Sequence, residues 1–157
     1  MSGSISKLHP ATILSTWFWS GLSPKAPGTV GSLAALPFGF VILVYGGQIH
    51  LLLATVVVFL LGTFTTHIYV TRTGKSDPKE VVIDEVAGQW LAILVAGTSP
   101  LALLLGFLFF RLFDIWKPWP ISWMDKNIKG AIGVMLDDLV AGLFALGAVI
   151  IVLKVIA

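Results

Sequence analysis

The chain has 157 residues, no cysteine and a formal net charge of +2. Without cysteine there is no disulfide, no thiolate metal site and no cysteine nucleophile, and so small a net charge does not point to nucleic acid. With 57% apolar and 11% charged residues and a mean hydropathy of +0.95, the composition is that of an integral membrane protein, and the length predicts one domain over residues 1–157.

The start, MSGSISKLHP, is polar and leads into no cleavage pattern of a signal peptide. Residues 11–19 (ATILSTWFW) are apolar, end in aromatics and are too short to span, which predicts an interfacial helix. Residues 21–32 (GLSPKAPGTVGS) contain three glycines and two prolines and predict a loop. The 13-residue run 33–45 predicts a short or tilted span, or one that starts within the loop, with Pro37 as a candidate kink. Residues 49–70 carry no acid, lysine or arginine over 22 positions and predict the clearest transmembrane helix. His50 and His67 sit at its ends, where a neutral imidazole is tolerated, and no catalytic role is expected of them. A polar loop follows at 71–80. The arms 84–97 and 101–114 are each shorter than the roughly 20 residues of a span, and they predict a helical hairpin turned at Thr98–Pro100. The last span runs from Leu139 to about Ile156.

The expected fold is therefore an all-α integral membrane protein. It is a bundle of about four to five short transmembrane helices with an N-terminal interfacial helix. With five spans, loops 21–32, 71–83 and 114–137 share one face, and with them all eight acids and nine of the ten basic residues. Only Lys154 lies towards the other face. This bias of lysine and arginine makes the charged face cytoplasmic. A four-span version, with 33–45 re-entrant, would break the convergence.

The chemistry concentrates between Arg111 and Gly142, which holds four of the eight acids. Asp84-Glu85 and Asp137-Asp138 are two carboxylate pairs, each ahead of an apolar helix. Such pairs repel unless neutralised, and a divalent cation with oxygen ligands neutralises them. The simpler reading, capping and helix-dipole contact, suits one aspartate better than two adjacent pairs. Adjacent helical residues point about 100° apart, so one member of a pair can instead support the other. Asp84-Glu-Val-Ala-Gly88 and Asp138-Leu-Val-Ala-Gly142 share the pattern D-x-V-A-G. Each glycine lies one turn below its aspartate and permits close helix approach, which favours Asp84 and Asp138 as the equivalent pair.

The 24–32 stretch supplies Lys25, Thr29, Ser32 and free amides at a helix start, a combination that binds anions such as phosphate. No Gly-Lys-Ser/Thr closes it, so it is not a P-loop, and a structural turn is the competing reading. Arg111, Asp114 and Lys117 share one face at i, i+3, i+6. Arg111 follows the run LLLGFLFF, which argues for a paired role, while Lys117, between Trp116 and Trp119, also suits interfacial anchoring. Lys126 and Lys129 read as surface contacts to anionic head groups.

Three motifs together, SGLSPKAPGTVGSL (20–33), IDEVAGQW (83–90), and FRLFDIWKPWPISWMD with GAIGVMLDDLVAG (110–125 and 130–142), strongly resemble the phosphatidylglycerophosphatase A family of bacterial membrane lipid phosphatases. The resemblance covers nearly the whole chain. It implies removal of the terminal phosphate of phosphatidylglycerophosphate to give phosphatidylglycerol, with Mg²⁺ as cofactor, at the bacterial inner membrane. It implies catalytic and metal roles for Asp84, Glu85, Asp137 and Asp138, and substrate binding by Lys25, Thr29, Ser32, Arg111, Asp114 and Lys117. Where the family often has a histidine near the aspartate of the loop after the second span, this chain has Lys75-Ser-Asp77, so no role carries over to Asp77.

The residues agree with such chemistry. With no cysteine, no Asp-x-Asp and no histidine in a polar motif loop, a metal-activated water is the preferred nucleophile and an aspartyl-phosphate the second. Two other classes compete. A lipid phosphotransferase would carry D-G-x2-A-R and further spaced aspartates, which are absent. A transporter or channel subunit would spread its acids through membrane depth, whereas these gather at one face.

Overall fold

Apolar runs make the helices of this chain, and glycine and proline set most of their ends. The computed structural model describes residues 4–156. Met1–Gly3, the start of the polar N-terminal stretch, and Ala157 lie outside the described residues. Helix α1 (Pro10–Ser15) is capped by His9, whose side chain accepts from the amide of Ala11, and it starts with proline at the first turn, where no N–H is needed. The interfacial helix expected over 11–19 stops at Ser15. Trp17, Phe18 and Trp19 follow with φ of 44°, 53° and 65°, a region that bulky residues rarely enter. Packing holds them there: the Trp17 ring meets Phe38 at 5.4 Å and Trp90 at 5.7 Å, both edge-on.

Helix α2 (Pro27–Thr73) is one element broken at Gly47, whose φ of 78° and ψ of −177° suit glycine alone. The chain doubles back there. Val82 packs against Gly31 on the first arm and Ile83 against Gly62 on the second, positions about equally far from Gly47 in sequence. Proline at the first turn starts this helix at residue 27, so the span starts within the 21–32 stretch, one of the expected alternatives, and the second half of that stretch is helical. The first arm alone is about 30 Å long.

Helix α3 (Ile83–Ala92) is the strut around which the rest packs, with nine of its ten residues buried. It leads through a turn to α4 (Pro100–Trp116), and Gly106 of α4 lets the two approach closely at Ala92–Ile93. This is the expected hairpin, with a shorter first arm. Helix α5 (Ile121–Asn127) lies in what sequence reading treated as connecting loop. Helix α6 (Gly130–Ile156) then starts at Gly130 rather than Leu139.

The architecture is all-α, with six α-helices and no strand among the described residues. The expected count of four to five spans plus an interfacial helix is corrected in two ways. A single glycine replaces a loop inside α2, and α5 adds a short helix. Two helices, α2 and α6, are long and apolar enough to cross a membrane. Large apolar side chains such as Leu53, Val57, Leu60 and Phe64 on α2 and Ile151 on α6 remain exposed on their outer faces.

Candidate active site

The site begins where α3 crosses α6. A Cβ on Gly142 would lie 2.4 Å from the carbonyl oxygen of Gly88, and one on Gly88 would lie 2.5 Å from that of Asp138. The two helices therefore touch backbone to backbone, run the same way, and carry the two copies of D-x-V-A-G side by side. One turn towards the N-terminus of each glycine, Asp84, Glu85 and Asp138 each offer an oxygen, and these atoms lie within 4.8 Å of one another. Asp84 Oδ1, Glu85 Oε2 and Asp138 Oδ2 are buried without a hydrogen-bond partner in the protein. Carboxylates held so close out of water repel strongly unless something neutralises them.

The fourth expected ligand is placed differently. Asp137 Oδ2 accepts from Lys117 Nζ at 2.7 Å, and its Oδ1 accepts from the amide of Asp138 at 3.0 Å. Asp137 is thus a partner of lysine rather than a member of the three-oxygen cluster. Because α6 starts at Gly130, this second pair stands about two turns inside the helix and does not cap it. Burial disfavours the charged form of Lys117. The hydrogen bond to Asp137 and that carboxylate's charge outweigh burial, so its pKa is raised above the ordinary lysine value. Lys117 also reaches Asp125 Oδ1 at 3.4 Å. Arg111 pairs with Asp114 on its own helix and lies 3.9 Å from Glu85 Oε1, so it neutralises the rim of the carboxylate cluster.

These groups open into a cavity of about 380 Å³. Seven of the chain's eight acids line it, against four basic residues, Lys79, Arg111, Lys117 and Lys129, a formal excess of three acids. The eighth acid, Glu80, is bound by Lys75 and by the Tyr69 hydroxyl at 3.1 Å. Burial raises the Glu80 carboxyl, but these hydrogen bonds and the Lys75 charge prevail and hold it below the usual range. They pin the 74–82 loop beside the cavity.

Ala26, Pro27 and Gly28 bring the N-terminus of α2 into the cavity lining. A Cβ on Gly28 would lie 2.4 Å from Glu85 Oε1 and 3.3 Å from both terminal nitrogens of Arg111, so any larger residue here would displace the ends of those two side chains. The amides of Gly28 and Thr29 belong to the first helical turn, where no intrahelical carbonyl is available, and the helix dipole makes that end positive. The expected side chains of this stretch lie off the cavity wall. Lys25 is exposed, Thr29 is half-buried, and Ser32 is buried with its hydroxyl donating to the Gly28 carbonyl at 2.9 Å. What this stretch presents to the cavity is Ala26, Pro27 and Gly28.

Of the residues singled out in the sequence, the structure brings Asp84, Glu85, Arg111, Asp114, Lys117, Asp137 and Asp138 to one cavity. It adds Gly28, Asp77, Lys79, Asp125 and Lys129. Lys129 had read as a surface contact, and Asp77 and Lys79 as plain loop residues. Their only signal was their place on the charged face. Gln89, one turn below Glu85, is wholly buried with both amide atoms unpartnered. An all-oxygen donor set from two rigid helices, with one unpartnered oxygen on each of three carboxylates, fits a hard divalent cation such as Mg²⁺.

Comparison with known proteins adds what geometry leaves open. A family model described as Phosphatidylglycerophosphatase A matches residues 13–153. Phosphatidylglycerophosphatase A of Escherichia coli is 38% identical over 140 residues, covering 88% of this chain and 81% of that one. The protein of the same name from Haemophilus influenzae is 36% identical over 142 residues, covering 90% and 87%. A putative phosphatidylinositol-3-phosphatase of Bacteroides thetaiotaomicron is 35% identical over 140 residues, covering 85% and 87%. No solved structure matches the chain. The family match takes in α2, α3, α4 and α5 whole and nearly all of α6, with every residue of the cavity: this chain belongs to the phosphatidylglycerophosphatase A family.

Proposed function

We propose that the protein is a membrane-embedded, Mg²⁺-dependent lipid phosphatase that hydrolyses phosphatidylglycerophosphate to phosphatidylglycerol and inorganic phosphate. Its site faces the cytoplasm from the bacterial inner membrane. The observation that carries this is the cluster of three buried, unpartnered carboxylate oxygens in a cavity lined by more acids than cations. Such a cavity repels a phosphate until a cation is bound in it, which suits a metal-dependent phosphatase and not a simple anion pocket. The apolar outer faces of α2 and α6 and the placement of nine of ten basic residues towards the charged side support the membrane setting and its orientation.

Asp84, Glu85 and Asp138 would hold the cation, which when bound polarises the phosphoryl oxygens and offsets their charge. Lys117 and Arg111 place positive charge on the cavity wall, each fixed by its own carboxylate, Asp137 and Asp114. The α2 N-terminus presents amides to an anion. Hydrolysis adds the elements of water across the phosphorus–oxygen bond: the oxygen of water joins phosphorus, and the head-group oxygen leaves with a proton. Two of the relatives named above carry the phosphatidylglycerophosphatase name, and the third is named for a different lipid phosphomonoester. The shared chemistry is a phosphate monoester on a lipid head group, and the motif match favours the glycerophosphate head.

The test is phosphate release by purified protein from phosphatidylglycerophosphate, with phosphatidylinositol 3-phosphate alongside. Release from the first should require Mg²⁺, stop in EDTA and return on Mg²⁺ addition. Full activity in chelator with no metal retained would overturn the metal assignment, and preference for the inositide would overturn the head group. For orientation, cysteines placed singly at Ser23, Ser76 and Ser122 should resist a membrane-impermeant thiol reagent in sealed cells and react once the membrane is opened. Labelling in sealed cells would refute a cytoplasmic site.

A further inference from the structure

We propose that an apolar groove beside the acidic cavity holds one acyl chain of the lipid substrate and so aims its phosphate. The inference rests on the lipid-phosphatase reading above. The groove, of about 500 Å³, lies between the second arm of α2 and the start of α6. Phe59, Thr63, Phe64 and His67 line it from α2, and Ala131 and Ile132 from α6. Its volume is within the range of sites that take small molecules.

Three observations select an acyl chain as the occupant. First, groove and cavity share a wall. Gly130 and Gly133 line the acidic cavity while Ala131 and Ile132 line the groove, so one turn of α6 separates the two spaces. Second, the groove is graded in the sense a lipid requires. From Phe59 to His67 it follows one stripe of α2 for about 12 Å. Its His67 end points towards the 74–82 loop, whose Ser76–Lys79 segment borders the cavity. The apolar end thus lies away from the charged face and the polar end beside it. Third, the one hydroxyl along the stripe is withdrawn: Thr63 Oγ1 donates to the carbonyl of Phe59 at 2.8 Å, leaving its methyl for the groove.

In a bilayer this groove gains little by hydrophobic transfer, because lipid tails are as apolar as its walls. Its effect is orientation. A chain seated between α2 and α6 enters at the turn that carries Gly130 and Gly133, so its head group is delivered to Lys117 and the three carboxylates and not to bulk lipid.

The experiment compares two substrates on full-length protein in detergent. One is phosphatidylglycerophosphate with two long acyl chains, and the other is the same head group lacking both chains. Thr63→Trp and Ile132→Trp fill the groove from its two sides, at positions that are half-buried and exposed. Each should lower kcat/KM for the long-chain substrate about tenfold and leave turnover of the chain-free head group unchanged. Equal turnover of the long-chain substrate by wild type and both variants would overturn the inference. So would an equal fall for both substrates, which marks general damage, or a change of oligomeric state on filling, which marks a second copy in the groove. Failure of the unsubstituted protein on both substrates would instead refute the phosphatase reading itself.

Discussion

At the start of α3, Asp84 and Glu85 each bring an oxygen within 4.8 Å of the same neighbours; about two turns into α6 only Asp138 does, while Asp137 turns to Lys117. The two doublets look alike in sequence and stand in different positions. The first opens a helix, where Glu85 is long enough to reach round to its neighbour's target. The second joins two shorter aspartates that also point about 100° apart, and Lys117 takes the outer one at 2.7 Å. What an acidic pair does is thus decided by the length of its side chains and by the cation opposite.

Neutralising the inner members should break this arrangement most. Asp84→Asn and Asp138→Asn remove ligand charge without changing shape, and each should lower phosphate release by about a thousandfold with the helical circular dichroism unchanged. A variant that keeps wild-type turnover would dissolve the three-oxygen cluster as a functional unit. Next in size is the crossing that brings the doublets together. Gly142→Val drives side-chain atoms into the Gly88 carbonyl, and overpacking of this kind costs about 1–3 kcal/mol. Thermal unfolding should move down and activity should fall with it, whereas an unshifted midpoint would mean the helices can part freely.

The outer member offers a sharper contrast. Asp137→Asn and Lys117→Ala should each lower kcat about tenfold, or about 1.4 kcal/mol in barrier. The double variant should be little worse than either single one, since both break the same pair. Additive losses would show that Asp137 acts independently of Lys117, as a ligand would. The smallest effect is expected at the α2 entrance. Lys25→Ala and Thr29→Ala touch side chains off the cavity wall and should leave kcat within about twofold. A large loss in either would move the anion contact from backbone amides to side chains.

Much of this was legible before the fold. The runs that make α2, α4 and α6, the hairpin after residue 83, the gathering of acids on one side and the D-x-V-A-G repeat are all plain in the residue order. The repeat was the most informative, because an aspartate with a glycine one turn on predicts both a charge and the close approach that places it. Other features had no local signal. Three consecutive left-handed aromatics at 17–19 depend on Trp90 and Phe38, which lie far away in sequence. The start of α6 at Gly130 was hidden because Asp137-Asp138 imitates a helix cap, and it takes Lys117 across the cavity to pair the Asp137 charge inside the helix.

By itself, then, the sequence determined composition, helix-forming runs, the family motifs and which residues carry charge, because these follow from local chemistry and spacing. The tertiary structure alone decided that Asp138 and not Asp137 joins Asp84 and Glu85, and that Gly28 and not Lys25 faces them. It also decided that the 74–82 loop borders the cavity. Those choices rest on which groups meet across three helices, and direction and distance between helices are set by packing at Gly88, Gly142 and Gly28, not by any stretch of chain read alone.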